Sequence, residues 1–180
     1  MFFPPADEEE DKRMVHTTEE DEDIIHPVNA AAKTLTEILP AEQEALLRWR
    51  RSLYYYEYAI VPSWNATSSS CNRRITCSEE GSVIGIDLSY HHLEGNLNHL
   101  NFSSLPHLSV LILQGNKLNG TIPQEIGALT NLITLNFKSN LFVGDLPISL
   151  GNLTSLVVLD LSNNNLNGLI TIFRGIYHRK

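Results

Sequence analysis

Cys71 and Cys77 are the only cysteines of the chain, and such side chains act as thiolate nucleophiles, as metal ligands or as a disulfide. Nucleophilic chemistry needs partners in a recognisable arrangement. Ser, His and Asp all occur here, but without a nucleophile elbow, an HExxH run or a paired-cysteine redox motif. Metal ligation needs further donors, and none is spaced for it around the cysteines. His91, His92 and His99 imitate a ligand cluster, yet adjacent histidines on a turn point apart and no carboxylate or cysteine completes the set. No glycine-rich phosphate loop is present either, so no catalytic residue, cofactor or metal is expected. The closeness of the two cysteines suggests a local staple; two buried thiols in a reducing compartment are also compatible with it.

The charge distribution narrows the partners. The first forty residues hold eleven of the 21 acidic and three of the 13 basic residues, which accounts for the whole net charge of -8. The chain beyond them is neutral and offers no basic stripe for phosphates, so nucleic acid is not an expected partner. Residues 1–40 combine this charge block with early prolines and are expected to form a disordered acidic tail. The opening MFFPPADEEEDKR lacks the positive start and apolar run of a secretory signal. No apolar run approaches the roughly 18 residues that a membrane helix needs.

The elements that position any binding residues announce themselves by repetition. From Leu105 the sequence recurs in three units of equal length, LPHLSVLILQGNKLNGTIPQEIGA, LTNLITLNFKSNLFVGDLPISLGN and LTSLVVLDLSNNNLNGLITIFRGI. Leu108, Leu132 and Leu156 align, as do Leu111, Leu135 and Leu159, then Leu113, Phe137 and Leu161. A degenerate unit with Val83, Ile86, Leu88, Leu93, Gly95 and Leu97 precedes them, one position longer than the others and with His91 in place of the asparagine. Apolar residues two apart point to one face of a strand, so Leu111 and Leu113 turn inward and Val110 and Ile112 outward. Three LxxLxLxxN matches in strict register specify a solenoid of about four coils with short parallel strands. Asn116, Asn140 and Asn164 follow the strands, where an amide that both donates and accepts serves the turning backbone as a structural ladder. The recurring Gly120, Gly144 and Gly168 supply a positive φ or a close approach, and Pro123 and Pro147 set the following bend. Ahead of the coils, Ala45, Leu46, Trp49 and Leu53 fall at helical spacing, with Glu42 and Glu44 early and Arg48, Arg50 and Arg51 late, complementing the helix dipole.

The repeat LxxLxLxxNxLxGxIP resembles the plant-specific class of leucine-rich repeats. The segment from EQEALLRWRRSL through the cysteines to SVIGIDLSYHHLEGNLNHLNFSSLPHLSVL is similar to the N-terminal cap and first repeat of plant leucine-rich-repeat receptor-like kinases. The resemblance covers about residues 41–170. It implies an α/β leucine-rich-repeat solenoid with a helical cap over 41–79, a Cys71–Cys77 disulfide, repeats over 80–176 and a short tail over 177–180. It also implies a concave sheet that binds peptides, hormones or partner ectodomains at the cell surface. The chain departs from that pattern in having five residues between its cysteines, Thr171 where the proline of the fourth unit belongs, and no signal, membrane span or kinase, so it reads as a truncated ectodomain.

The expected function is therefore non-enzymatic binding of a peptide or protein, including another leucine-rich-repeat ectodomain. The outward strand residues Asp87, Ser89, Val110, Ile112, Gln114, Thr134, Asn136, Lys138, Val158, Asp160 and Ser162 would line one concave face. Four strands at about 4.8 Å spacing make that face about 15 to 20 Å long, short of the roughly 800 Å² per partner of a standard interface. Glycosylation sequons occur at Asn65, Asn101, Asn119 and Asn152, against roughly two expected by chance, and mildly favour secretion. The alternative is an intracellular scaffold or decoy, or a non-functional gene fragment.

Overall fold

The computed structural model of the chain describes residues 38–54, 71 and 74–167. Residues 1–37, Asn65, Gly168, Thr171 and the 177–180 tail, on all of which expectations fell, lie outside them. Helix α1 spans Pro40–Arg51. Proline at its first position has no N–H to orphan, and the basic residues of the last turn face the negative helix end. Its buried residues include Glu42, Ala45, Leu46 and Trp49. They are spaced i, i+3, i+4 and i+7, one stripe of a helix. The stripe thus contains a carboxylate. Glu42 is 3% exposed, accepting from Ser82 Oγ at 2.7 Å and Val83 N at 2.6 Å. Beyond complementing the dipole, it ties the helix to the first coil.

Two corrections concern the boundary at residue 40. Ile38 is buried in the core, and Leu39 donates its N–H to Gly81 O at 3.1 Å while capping α1. A lone Ile–Leu pair before proline carries no periodicity, so it read as tail; tertiary packing claims it.

Strands β1 (Ile75–Cys77), β2 (Val83–Asp87), β4 (Val110–Ile112), β6 (Thr134–Asn136) and β8 (Val158–Asp160) form one sheet in the order β1-β2-β4-β6-β8. Ile86, Leu111, Leu135 and Leu159 are successive register partners in parallel. The sheet has one strand beyond the four legible in the repeat, because β1 pairs antiparallel with β2. A second sheet was not read from the sequence. It joins β3 (Glu94–Gly95), β5 (Lys117–Gly120), β7 (Leu141–Asp145) and β9 (Asn165–Asn167) in parallel. Turns of 3-10 helix at Phe102–Ser104, Gln124–Ala128 and Ile148–Asn152 complete the coils.

Stacked leucines fill the space between the sheets, and Phe137 meets Phe142 with ring centroids 5.3 Å apart. Beside them run the asparagines. Asn116 Nδ2 donates to Leu88 O and Leu113 O, both at 2.8 Å, while its Oδ1 accepts from His91 N at 3.0 Å and Leu93 N at 3.1 Å. Asn140 repeats this between Leu113 O, Phe137 O and Leu118 N, and Asn164 between Phe137 O, Leu161 O and Phe142 N. Each amide thus bonds its own coil and the preceding one. Gly120 and Gly144 have φ of 76° and 82°, which a side chain would strain.

Candidate functional site

The outward residues of the first sheet line up across it because parallel strands in register place partners side by side on one face. One row is Gly85, Val110, Thr134 and Val158, and the next is Asp87, Ile112, Asn136 and Asp160. Beyond the strand ends the backbone ladder continues, with Tyr90 N on Gln114 O, Gly115 N on Lys138 O and Ser139 N on Ser162 O. This aligns a third row of Ser89, Gln114, Lys138 and Ser162. None of the eleven outward residues read from the sequence is buried, while Ile86, Leu111, Leu135 and Leu159 between them are.

Hydrogen bonds hold parts of this face in place. Asp87 and Asp160 each turn Oδ1 back onto the serine two residues later, accepting from Ser89 N at 3.0 Å and Ser162 N at 3.1 Å as well as from both hydroxyls. Their Oδ2 atoms accept no hydrogen bond among the described residues. Asn136 donates to Gln114 Oε1 at 3.0 Å and accepts from Lys138 N at 3.0 Å, and Gln114 Nε2 donates to Tyr90 Oη. The centre of the face is therefore a pre-ordered amide chain, flanked by apolar Val110 and Ile112 on one side and Val158, 40% exposed, on the other.

Two contributors escaped the sequence. Gly85 leaves a gap where the other coils carry Val110, Thr134 and Val158, and Thr76 of β1 faces that gap; a Cβ at Gly85 would meet Thr76 Cβ at 3.3 Å. The result is a cavity of about 160 Å³ bordered by Thr76, Gly85, Asp87 and Val110. Alternation around Ile86 is the signal that could have placed Gly85 on the outward side, whereas nothing in the repeat pattern points to β1. Tyr90 is the second, its ring lying against Gly115 beside Gln114. Its φ of 57° puts it in the left-handed region, as at Gly115, Ser139 and Asn163 of the following coils.

Away from this face, Cys71 and Cys77 form a disulfide, which settles the choice between staple and free thiols. Asn101, Asn119 and Asn152 are exposed, and all lie off the first sheet. His91 is held by its ring Nδ1 against Ser89 O at 2.6 Å. Among the described residues no three histidine, cysteine, aspartate or glutamate side chains gather to hold a metal ion. No described helix is long and apolar enough to cross a membrane.

A family model described as Leucine Rich Repeat matches residues 107–129 and 155–175, the segments carrying β4 to β5 and β8 to β9. The chain carries leucine-rich repeats and has the fold of a leucine-rich-repeat solenoid. Its relatives are plant receptors: the LRR receptor-like serine/threonine-protein kinase RGI3 of Arabidopsis thaliana is 37% identical over 96 residues, 52% of this chain and 9% of that protein. The leucine-rich-repeat fold is also similar to solved ectodomains. The PEPR1–AtPEP1 structure matches 72% of this chain and 19% of its own with a TM-score of 0.65 and 30% identity. The LRR ectodomain of the plant membrane receptor kinase GASSHO1/SCHENGEN3 from Arabidopsis thaliana, in complex with CASPARIAN STRIP INTEGRITY FACTOR 2, matches 71% and 18% with a TM-score of 0.53 and 26% identity. The chain thus spans about a tenth of RGI3 and under a fifth of either ectodomain.

Proposed function

We propose that this leucine-rich-repeat chain is a non-enzymatic extracellular recognition module that takes an extended peptide or a partner protein segment on its first sheet. The carrying observation is the in-register face itself: apolar Val110, Ile112 and Val158 alternate with pre-ordered Gln114, Asn136 and two half-satisfied carboxylates. Apolar residues grouped on one face mark interaction sites, and fixed polar groups orient a ligand at little entropic cost. The likeness to an ectodomain solved in complex with CASPARIAN STRIP INTEGRITY FACTOR 2 supports the same use, and the disulfide suits an oxidising compartment. The five strands of this sheet span only about 20 Å at their usual spacing, so a ligand engages a handful of residues and the affinity of this chain alone is modest.

The test is selection of a displayed random peptide library on the chain, followed by binding to Ile112→Asp and Val158→Asp variants. A charge placed in an apolar contact should weaken the selected peptides at least about tenfold, roughly 1.4 kcal/mol. Peptides that bind both variants as well as the parent would remove the concave face from the proposal.

A further inference from the structure

The second sheet carries its own outward face, and there the polar pattern breaks at one place. Lys117 and Asn119 on β5, Asp145 on β7, and Asn165 and Asn167 on β9 are polar and exposed, as expected of a solvated face. Leu141 and Val143 on β7 are exposed as well, by 54% and 43%. Lys117 ion-pairs with Glu94. Asn119 is the register partner of Leu141 in the parallel pair β5–β7, so the two side chains stand next to each other on one face at about the 4.8 Å spacing of strands. Asn119 opens the sequon Asn119-Gly120-Thr121, its amide makes no hydrogen bond among the described residues, and Thr121 is exposed. Asn101, by contrast, spends its amide on Ser104 Oγ at 2.8 Å.

We propose that Asn119 carries an N-linked glycan whose first N-acetylglucosamine lies over Leu141 and extends toward Val143, covering the apolar break in the second sheet. The pyranose ring has a face of C–H groups and an acetyl methyl, a chemical match for a leucine and a valine flanked by polar residues. Attachment joins Asn119 Nδ2 to C1 of the sugar, breaks the C1–O bond to a lipid diphosphate carrier, which leaves, and releases one amide proton to a base of the transferring enzyme. Among the described residues no sequon lies on the first sheet, so the glycan leaves the proposed ligand face open. The inference rests on passage through the secretory pathway, part of the reading above, but not on peptide binding.

The experiment is secretion of the whole chain from plant cells behind an added leader, which supplies the pathway directly. Glycopeptide mass spectrometry should find Asn119 occupied. Asn119→Gln and Thr121→Ala, which remove the glycan by different residues, should each raise fluorescence of an apolar-surface dye about twofold, as exposed apolar patches do. Trimming the glycan to a single N-acetylglucosamine should leave the fluorescence low. In a Leu141→Ser background, losing the glycan should raise the fluorescence much less, because only Val143 is then uncovered. An unoccupied Asn119, or an Asn119→Gln effect that persists in full with Leu141→Ser, overturns the proposal. Peptide binding measured on the same samples reports separately on the first sheet.

Discussion

The two ends of the coil stack are built differently. At the N-terminal end both sheets begin on an antiparallel partner. β1 lies along β2, and Tyr54, just past α1, bridges Glu94 of β3 with Tyr54 N donating to Glu94 O at 2.7 Å. Glu42 reaches Val83 N, Trp49 Nε1 donates to Asn96 O at 2.8 Å, and the disulfide closes the loop into β1. The fourth coil has coil three on one side, and its leucines are slightly less buried: Leu156 and Leu161 are 7% and 8% exposed, against 0% for Leu108 and Leu113. Parallel strands with a nearest-neighbour core leave each terminal coil dependent on whatever covers it. The first coil is covered by elements of a different kind, not by another repeat.

The largest test of this contrast compares equivalent leucines. Leu111→Ala should cost about 2 to 5 kcal/mol in chemical denaturation, while Leu159→Ala should cost less because its coil opens before the rest. Amides near Leu159 should accordingly exchange with solvent faster than those near Leu111. Equal cost and equal protection would erase the difference between the ends. Next comes the staple, with a sequence separation of 6. Replacing both cysteines with serine should lower stability by about 2 kcal/mol and increase exchange in β1 and β2 before β6. If β6 loosens equally, the cap is not a separate unit.

A smaller effect separates two glutamates of α1. Glu42→Ala leaves Val83 N–H and the Ser82 hydroxyl without their acceptor in a buried place, an expected loss of about 1 to 3 kcal/mol. Glu44, exposed and 3.8 Å from Arg51, should change stability by only about 0 to 1 kcal/mol when replaced by alanine. Similar losses at both positions would mean that helix propensity, not the buried carboxylate, couples cap to coil. The smallest effect concerns Glu80, between β1 and β2. Its carboxyl is held below the ordinary glutamate value chiefly by the Ser78 side chain, then by a backbone hydrogen bond. A depressed folded value contributes stability above the unfolded carboxylate range and loses it as pH falls through the folded value. Because Glu80 is fully exposed, the expected readout is its own titration: Ser78→Ala should move the NMR midpoint upward, and an unmoved midpoint would detach Glu80 from Ser78.

Much of this was legible along the chain, and the reason is periodicity. A strict recurrence states which residues face inward, so the stacking of Leu111, Leu135 and Leu159 and the identity of the eleven outward residues follow from it. Elements that occur once carry no such redundancy. β1 is only ITC, ending at the second cysteine, and its antiparallel pairing depends on contact with Val83–Asp87, not on any local signal. The second sheet is periodic, yet its strands hold glycine and asparagine, as in KLNG, residues that ordinarily argue against strands. Register with the neighbouring coil overrides that preference.

The residues alone determined the number of coils, their inward leucines, the asparagine positions, the helix of the cap and the lack of a catalytic motif, because each follows from local spacing and side-chain type. Tertiary structure alone decided the rest. Glu42 became an acceptor for the first coil because α1 turns that stripe inward. Gly85 became a gap only because Thr76 arrived beside it. Asn119 acquired Leu141 as a neighbour through a strand register two positions shorter than the repeat itself, which would have paired it with Val143. Tyr90, Ser139 and Asn163 took positive φ where only Gly115 announced it. At roughly 1 kcal/mol, such a backbone cost is set aside when ladder hydrogen bonds on both sides fix the turn. Spacing along a chain records what each coil repeats, whereas contacts between unlike segments depend on where the whole chain has already folded.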